Sequence, residues 1–64
     1  MFELWARKEE ETYHFICSFS NENCKYTVVD MLDENVYKEA IVIRKSDRNC
    51  VLYKEFEKPK VLKK

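Results

Sequence analysis

Residues 20–32 read Ser20-Asn21-Glu22-Asn23-Cys24-Lys25-Tyr26-Thr27-Val28-Val29-Asp30-Met31-Leu32, and whether they form a helix or a strand decides the fold. Ser20 offers a hydroxyl that can accept from first-turn amides. Glu22 puts negative charge near the positive end of a helix dipole, and Phe19 and Cys24 occupy the two positions of a hydrophobic staple. Cys24, Val28, Met31 and Leu32 follow i, i+4, i+7, i+8 spacing and so share one helical face. Two features oppose this. Thr27, Val28 and Val29 are β-branched, and Asp30, Asp33 and Glu34 place negative charge at the wrong end of the dipole. Met31 and Leu32 fit only the longer period, so a helix is predicted over Ser20–Leu32.

The flanking segments alternate with a period of two. Phe2, Leu4 and Ala6 interleave with Glu3, Trp5 and Arg7, which predicts a first strand. Lys8–Thr12 is a charged break. Tyr13, Phe15, Cys17 and Phe19 then interleave with His14, Ile16 and Ser18, a second strand antiparallel to the first. After the polar stop Asp33-Glu34-Asn35, the stretch Tyr37–Lys45 contains Ala40-Ile41-Val42-Ile43, apolar on both faces. The alternative there is a helix over Glu34–Ile41 capped by Asp33. Ser46-Asp47-Arg48-Asn49 is a turn with Asn49 at the left-handed position. Cys50–Phe56 is the fourth strand, and Pro59 ends it.

The resulting order is ββαββ, an α+β fold: a four-stranded antiparallel sheet with one helix on one face. Residues 1–58 are predicted to be the domain and residues 59–64 a basic, flexible tail. One short helix covers one side of a sheet only. If it covers Leu4, Phe15, Cys17, Ile41, Ile43 and Leu52, the other side carries some of Trp5, Ile16, Val42, Val51 and Tyr53, interrupted by Arg7, His14, Arg44 and Glu55, the strand register being left open by the sequence. An apolar patch left open on a soluble domain marks an interaction site, and Trp, Tyr and Arg are enriched at binding hot spots. Trp5, Arg7 and Tyr53 are therefore the candidate contact residues.

Composition narrows the function classes. At 64 residues with no glycine, the chain has no glycine-rich phosphate loop. It is short enough to be marginal without help from a metal, a disulfide or a partner. No apolar run reaches the ~18 residues of a membrane span. The N-terminus lacks the pattern of a signal peptide, and three cysteines without an export signal predict reduced thiols in the cytoplasm. Residues 1–40 hold four Lys/Arg against nine Asp/Glu, whereas residues 41–64 hold eight against three. The chain's net charge is zero.

The chemical signals are weak. His14 and Cys17 stand three apart within a strand and face opposite ways, and Cys24 falls on the helix. These residues and Cys50 read as small hydrophobes and a surface histidine rather than zinc ligands. One histidine in so small a domain gives little basis for a cysteine nucleophile in a cleft. No enzyme, cofactor, metal or small-molecule substrate is expected. Nucleic-acid binding is the alternative. It would use sheet aromatics for stacking and the basic C-terminal half, with Arg44, Arg48, Lys58, Lys60, Lys63 and Lys64 as contacts. Zero net charge counts against it.

Three stretches carry a resemblance: Phe2-Glu3-Leu4-Trp5-Ala6-Arg7-Lys8, Val29-Asp30-Met31-Leu32-Asp33 and Tyr53-Lys54-Glu55-Phe56-Glu57-Lys58-Pro59. Together they make the chain similar to small uncharacterised proteins of phages, prophages and other mobile elements of low-GC Gram-positive bacteria. The resemblance brings no known site residues. It implies a context in which small proteins bind a host protein or regulate DNA. The expected function is a non-catalytic interaction module that binds a host protein or self-associates.

Overall fold

A computed structural model describes residues 1–56. Its elements are β1 (Phe2–Arg7), β2 (His14–Phe19), a 3-10 turn (Glu22–Cys24), α1 (Lys25–Asp30), β3 (Glu39–Arg44) and β4 (Asn49–Glu55). The four strands form one antiparallel sheet in the order β2-β1-β3-β4. The α+β ββαββ architecture read from the sequence is the architecture observed. Residues 59–64, expected to be a tail, lie outside the described residues.

The core sits between α1 and one face of the sheet. Phe2, Leu4 and Ala6 of β1, Ala40 and Val42 of β3, Val29 of α1 and Phe56 form one buried cluster. Burying a Leu or Val side chain contributes about 1.5–3 kcal/mol, and only a handful of residues do so here. Phe2 stacks on Phe19 with ring centroids 5.6 Å apart, which extends the cluster toward β2.

The helical segment is shorter than predicted. It starts as a 3-10 turn capped by Asn21, whose side chain accepts from the Asn23 N–H at 2.9 Å. Asn21, not Ser20, is the cap. The following α-helix has six residues, as its β-branched centre and acidic end would favour. The buried residue is Val29, at 1% exposure, with Val28 and Leu32 partly buried beside it. Met31, placed on the apolar face by its spacing, is 78% exposed, and Cys24 is exposed too. The winding change at Cys24 takes that residue off the face, while the stripe packed on the core is Val28, Val29 and Leu32, which leaves Met31 to one side.

The alternative helix over Glu34–Ile41 does not form. Asp33 instead closes a turn: its side chain accepts from the Asn35 N–H at 2.9 Å and its carbonyl from the N–H groups of Val36 and Tyr37. β3 begins at Glu39.

The face assignment changes in three places. Both outer strands carry a bulge, one where Leu4/Trp5 faces β2 and one where Val42/Ile43 faces β4. The residues left over are Ile16 and Val51, and both pack on the core. Beyond each bulge the alternation reverses, which is what an inserted residue does to a strand. Phe15 is thereby turned away from the helix, although Cys17 and Phe19 are not. In β3 the phase is inverted: Ala40 and Val42 are buried against the helix, and Ile41 and Ile43 face away. A run apolar on both sides carries no phase of its own, and pairing with β1 sets it through Leu4 opposite Val42 and Ala6 opposite Ala40.

Among the described residues two loop positions have positive φ, Glu10 at 67° and Arg48 at 62°. The left-handed residue of the β3–β4 turn is thus Arg48, one position before the Asn49 expected there. Asp47 fixes that turn by accepting from the Asn49 N–H at 3.1 Å and from Arg44 Nη1 at 2.9 Å. These two donors, the amide first, hold the Asp47 carboxyl below its usual range.

Candidate functional site

The uncovered face is ordered in rows across the strands. Trp5 lies opposite Phe15 on β2 and Ile41 on β3, and Ile41 lies opposite Tyr53 on β4. Phe15, Trp5, Ile41 and Tyr53 therefore form one line spanning all four strands. Phe15 and Tyr53 are 49% and 53% exposed, and Trp5 and Ile41 are half-buried between them. Trp5 meets Phe15 edge to face at 5.8 Å between centroids, a favoured aromatic geometry. Its indole N–H donates to Glu3 Oε1 at 3.1 Å, which holds a carboxylate beside the ring.

One row further along, Arg7 stands opposite Glu39 and Glu39 opposite Glu55. Glu39 is the hub. Arg7 Nε donates to its Oε1 at 2.7 Å, the Tyr13 hydroxyl to the same oxygen at 3.0 Å, and the Tyr53 hydroxyl to Oε2 at 2.9 Å. Three donors, with Arg7 the largest influence and Tyr53 and Tyr13 next, hold the Glu39 carboxyl down at about 2. In return the Tyr53 hydroxyl, held chiefly by its bond to Glu39, is pushed up to about 12. Tyr13 is also raised, mainly by burial and then by the same carboxylate. The carboxylate stays ionised and the phenols stay protonated across the ordinary pH range.

Arg7 extends this network to the β1–β2 loop, where Nη1 donates to the carbonyls of Lys8 at 3.5 Å and Glu11 at 3.4 Å. Of the three predicted contact residues, Trp5 and Tyr53 share the row. Arg7 shares their face, but its donors are engaged within the chain. Glu39, Phe15 and Ile41 were missed. The adjacent apolar pair Ile16-Cys17, which breaks a strict alternation, is the signal that could have located the bulge and brought Phe15 into the row.

No protein-family model, curated protein or solved structure matches the chain. Its own geometry therefore carries the functional reading.

Arg44 and Arg48 lie elsewhere, at the β3–β4 turn, and Arg44 is paired with Asp47 at 2.9 Å. Lys58, Lys60, Lys63 and Lys64 lie outside the described residues. Within the strands, the uncovered face carries Arg7 against Glu3, Glu39 and Glu55, a net charge of −2. Cys17 is half-buried, and Cys24 and Cys50 are exposed free thiols. Among the described residues no group of three or more His, Cys, Asp or Glu is placed to hold a metal ion. Likewise, no helix among them is long and apolar enough to cross a membrane.

Proposed function

We propose that the chain is a non-catalytic interaction module that binds another protein through the sheet face opposite the helix. The observation that carries this reading is the unbroken row Phe15–Trp5–Ile41–Tyr53, exposed at both ends and partly buried at its centre. Aromatic side chains supply large contact area at low entropic cost, and Trp and Tyr are the residues that most often dominate binding energy. The Glu39 network supports the reading by fixing Tyr53 and the adjoining loop before a partner arrives, so less ordering is needed on binding. The resemblance to small mobile-element proteins supports a host protein as the partner and the cytoplasm as the compartment.

A different protein is favoured over a second copy. Two copies packed face to face would oppose surfaces that each carry net negative charge, which costs association. The same acidity weighs against base stacking on this face, because nucleic-acid affinity is dominated by phosphate contacts.

Affinity capture from a bacterial lysate tests the proposal through variants. Trp5→Ala and Phe15→Ser should each abolish recovery of the partner. Met31→Ser, which alters an exposed residue of the helical segment, should leave it unchanged. Equal recovery by all three would place the contact surface elsewhere.

A further inference from the structure

We propose that the partner of the uncovered face is a protein surface with two arginines about 16 Å apart, seated on Glu3 and Glu55, and an apolar side chain between them over Ile41. The proposal rests on the preceding reading for the face, and it adds the chemistry of what that face binds.

Charge is the first reason. Glu39 holds Arg7 at 2.7 Å and accepts from Tyr13 and Tyr53, so its charge is met within the chain. Glu3 and Glu55 differ: among the described residues no Lys or Arg pairs with either. Lys54 lies 3.7 Å from Asp30 of α1, and Arg44 pairs with Asp47 at the β3–β4 turn. Glu55 also stands directly opposite Glu39, and like charges opposed across a sheet repel. A cation brought to Glu55 relieves that repulsion. The net charge of the face disfavours phosphate-rich surfaces, whether nucleic acid or anionic lipid.

The second reason is how Glu3 is held. Its Oε1 accepts the Trp5 indole N–H at 3.1 Å, which fixes the carboxylate at the edge of the ring. Its Oε2 has no donor among the described residues. A guanidinium suits such a pair, because it is flat, donates in a fork to a carboxylate and lies favourably over an aromatic ring. An ammonium would meet the charge without the fork or the stacking.

Spacing is the third. Glu3 and Arg7 are four residues apart on β1, and the row of Arg7 contains Glu39 and Glu55. From Glu3 to Glu55 is thus about 13 Å along the strands and about 10 Å across two strand spacings, or about 16 Å on the diagonal. The midpoint of that diagonal falls on Ile41, with Trp5 and Tyr53 on either side. The apolar centre of the face therefore lies between its two uncompensated charges.

The test titrates three acetylated, amidated pentapeptides into the full chain and reads backbone amide shifts. The first has arginine at both ends, leucine in the middle and serine between. The second has glutamate at both ends, and the third has serine in place of leucine. The first should move the amides of Glu3, Trp5, Ile41 and Glu55, leave Val29 in place, and bind more weakly as salt rises. The second should not bind, and the third should bind more weakly than the first. Glu3→Gln keeps an acceptor for the indole, and Glu55→Gln removes a like-charge opposition, so neither should lower the thermal midpoint. Each should weaken the first peptide about two- to fivefold, the range of an exposed ion pair.

No movement of these amides at about 10 mM of the first peptide would overturn the proposal. So would equal binding of the glutamate or the serine peptide, or unchanged affinity in both Gln variants. Amides on this face that shift when the chain alone is diluted would assign it to a second copy, which also overturns the proposal. The preceding reading fails separately, through undiminished capture by Trp5→Ala and Phe15→Ser.

Discussion

The two faces of the sheet are built from different kinds of side chain. Under the helix lie Leu4, Ala6, Ala40 and Val42, small or aliphatic and wholly buried. On the other side lie Phe15, Trp5, Ile41 and Tyr53, larger residues left half in water, with a carboxylate bonded to an arginine and two tyrosines at one end. Size alone does not sort the aromatics, since Phe2 and Phe56 are buried on the helix side. One six-residue helix covers one side of the sheet only, so the row on the other side stays partly exposed. The lesson is a division of labour within four strands: one face supplies cohesion, and the other presents area held in place by polar ties.

This comparison breaks most sharply at Leu4. Leu4→Ala should cost about 2–5 kcal/mol in denaturant-induced unfolding, a large share of what a domain of this size possesses. By contrast Phe15→Ser, on the uncovered face, should cost less, about 0.5–1.5 kcal/mol, chiefly through loss of its edge-to-face contact with Trp5. Comparable losses from the two would mean that both faces act as core.

The polar end of the uncovered face is tested by pH. The Glu39 carboxyl sits at about 2 in the folded chain against an ordinary value of 4.5. Its stabilising contribution is thus complete above about 4.5 and is lost as pH falls toward 2. The urea midpoint should drop over that window, and Glu39→Gln should flatten the drop. The Tyr53 hydroxyl, raised from 10.0 to about 12, behaves in the opposite sense. Its contribution is present below pH 10 and is lost as pH rises toward 12. Ultraviolet titration should find late-ionising tyrosines in the unaltered chain that ionise earlier in Glu39→Gln.

The smallest effect belongs to neither face. Arg48 has φ of 62° in a chain without glycine. A left-handed L-residue costs about 1–2 kcal/mol, and glycine offsets part of any gain through unfolded-state entropy of about 0.5–1 kcal/mol. Arg48→Gly should therefore stabilise by about 0.5 kcal/mol in thermal melts, without altering either face.

The element order was legible in the sequence because period-two alternation in β1 and the polar breaks at Lys8–Thr12, Asp33–Asn35 and Ser46–Asn49 are strong local signals. Side-chain facing was legible only where the alternation is unbroken. In β2 and β4 one extra residue, Ile16 or Val51, flips everything beyond it. In β3 the apolar run has no phase until β1 imposes one. Trp5 and Tyr53 could be placed on the right face because each lies on the unflipped side of its strand. Glu39 could not be identified, since its three donors come from β1, the β1–β2 loop and β4 and meet only in the folded sheet.

The strand order also governs how the molecule assembles. β1 with β2, and β3 with β4, are neighbours in sequence and close over short loops, so either hairpin can form early. β1 with β3 joins residues more than thirty positions apart, and this is the closure that costs most chain entropy. An isolated two-stranded hairpin is at best marginally stable in water, and Leu4 and Val42, one from each hairpin, are sealed only when the central pair meets. The two halves therefore depend on a single zippering event. Cooperative folding of the domain as one unit is the expected consequence, with whatever slows the meeting of β1 and β3 slowing all of it.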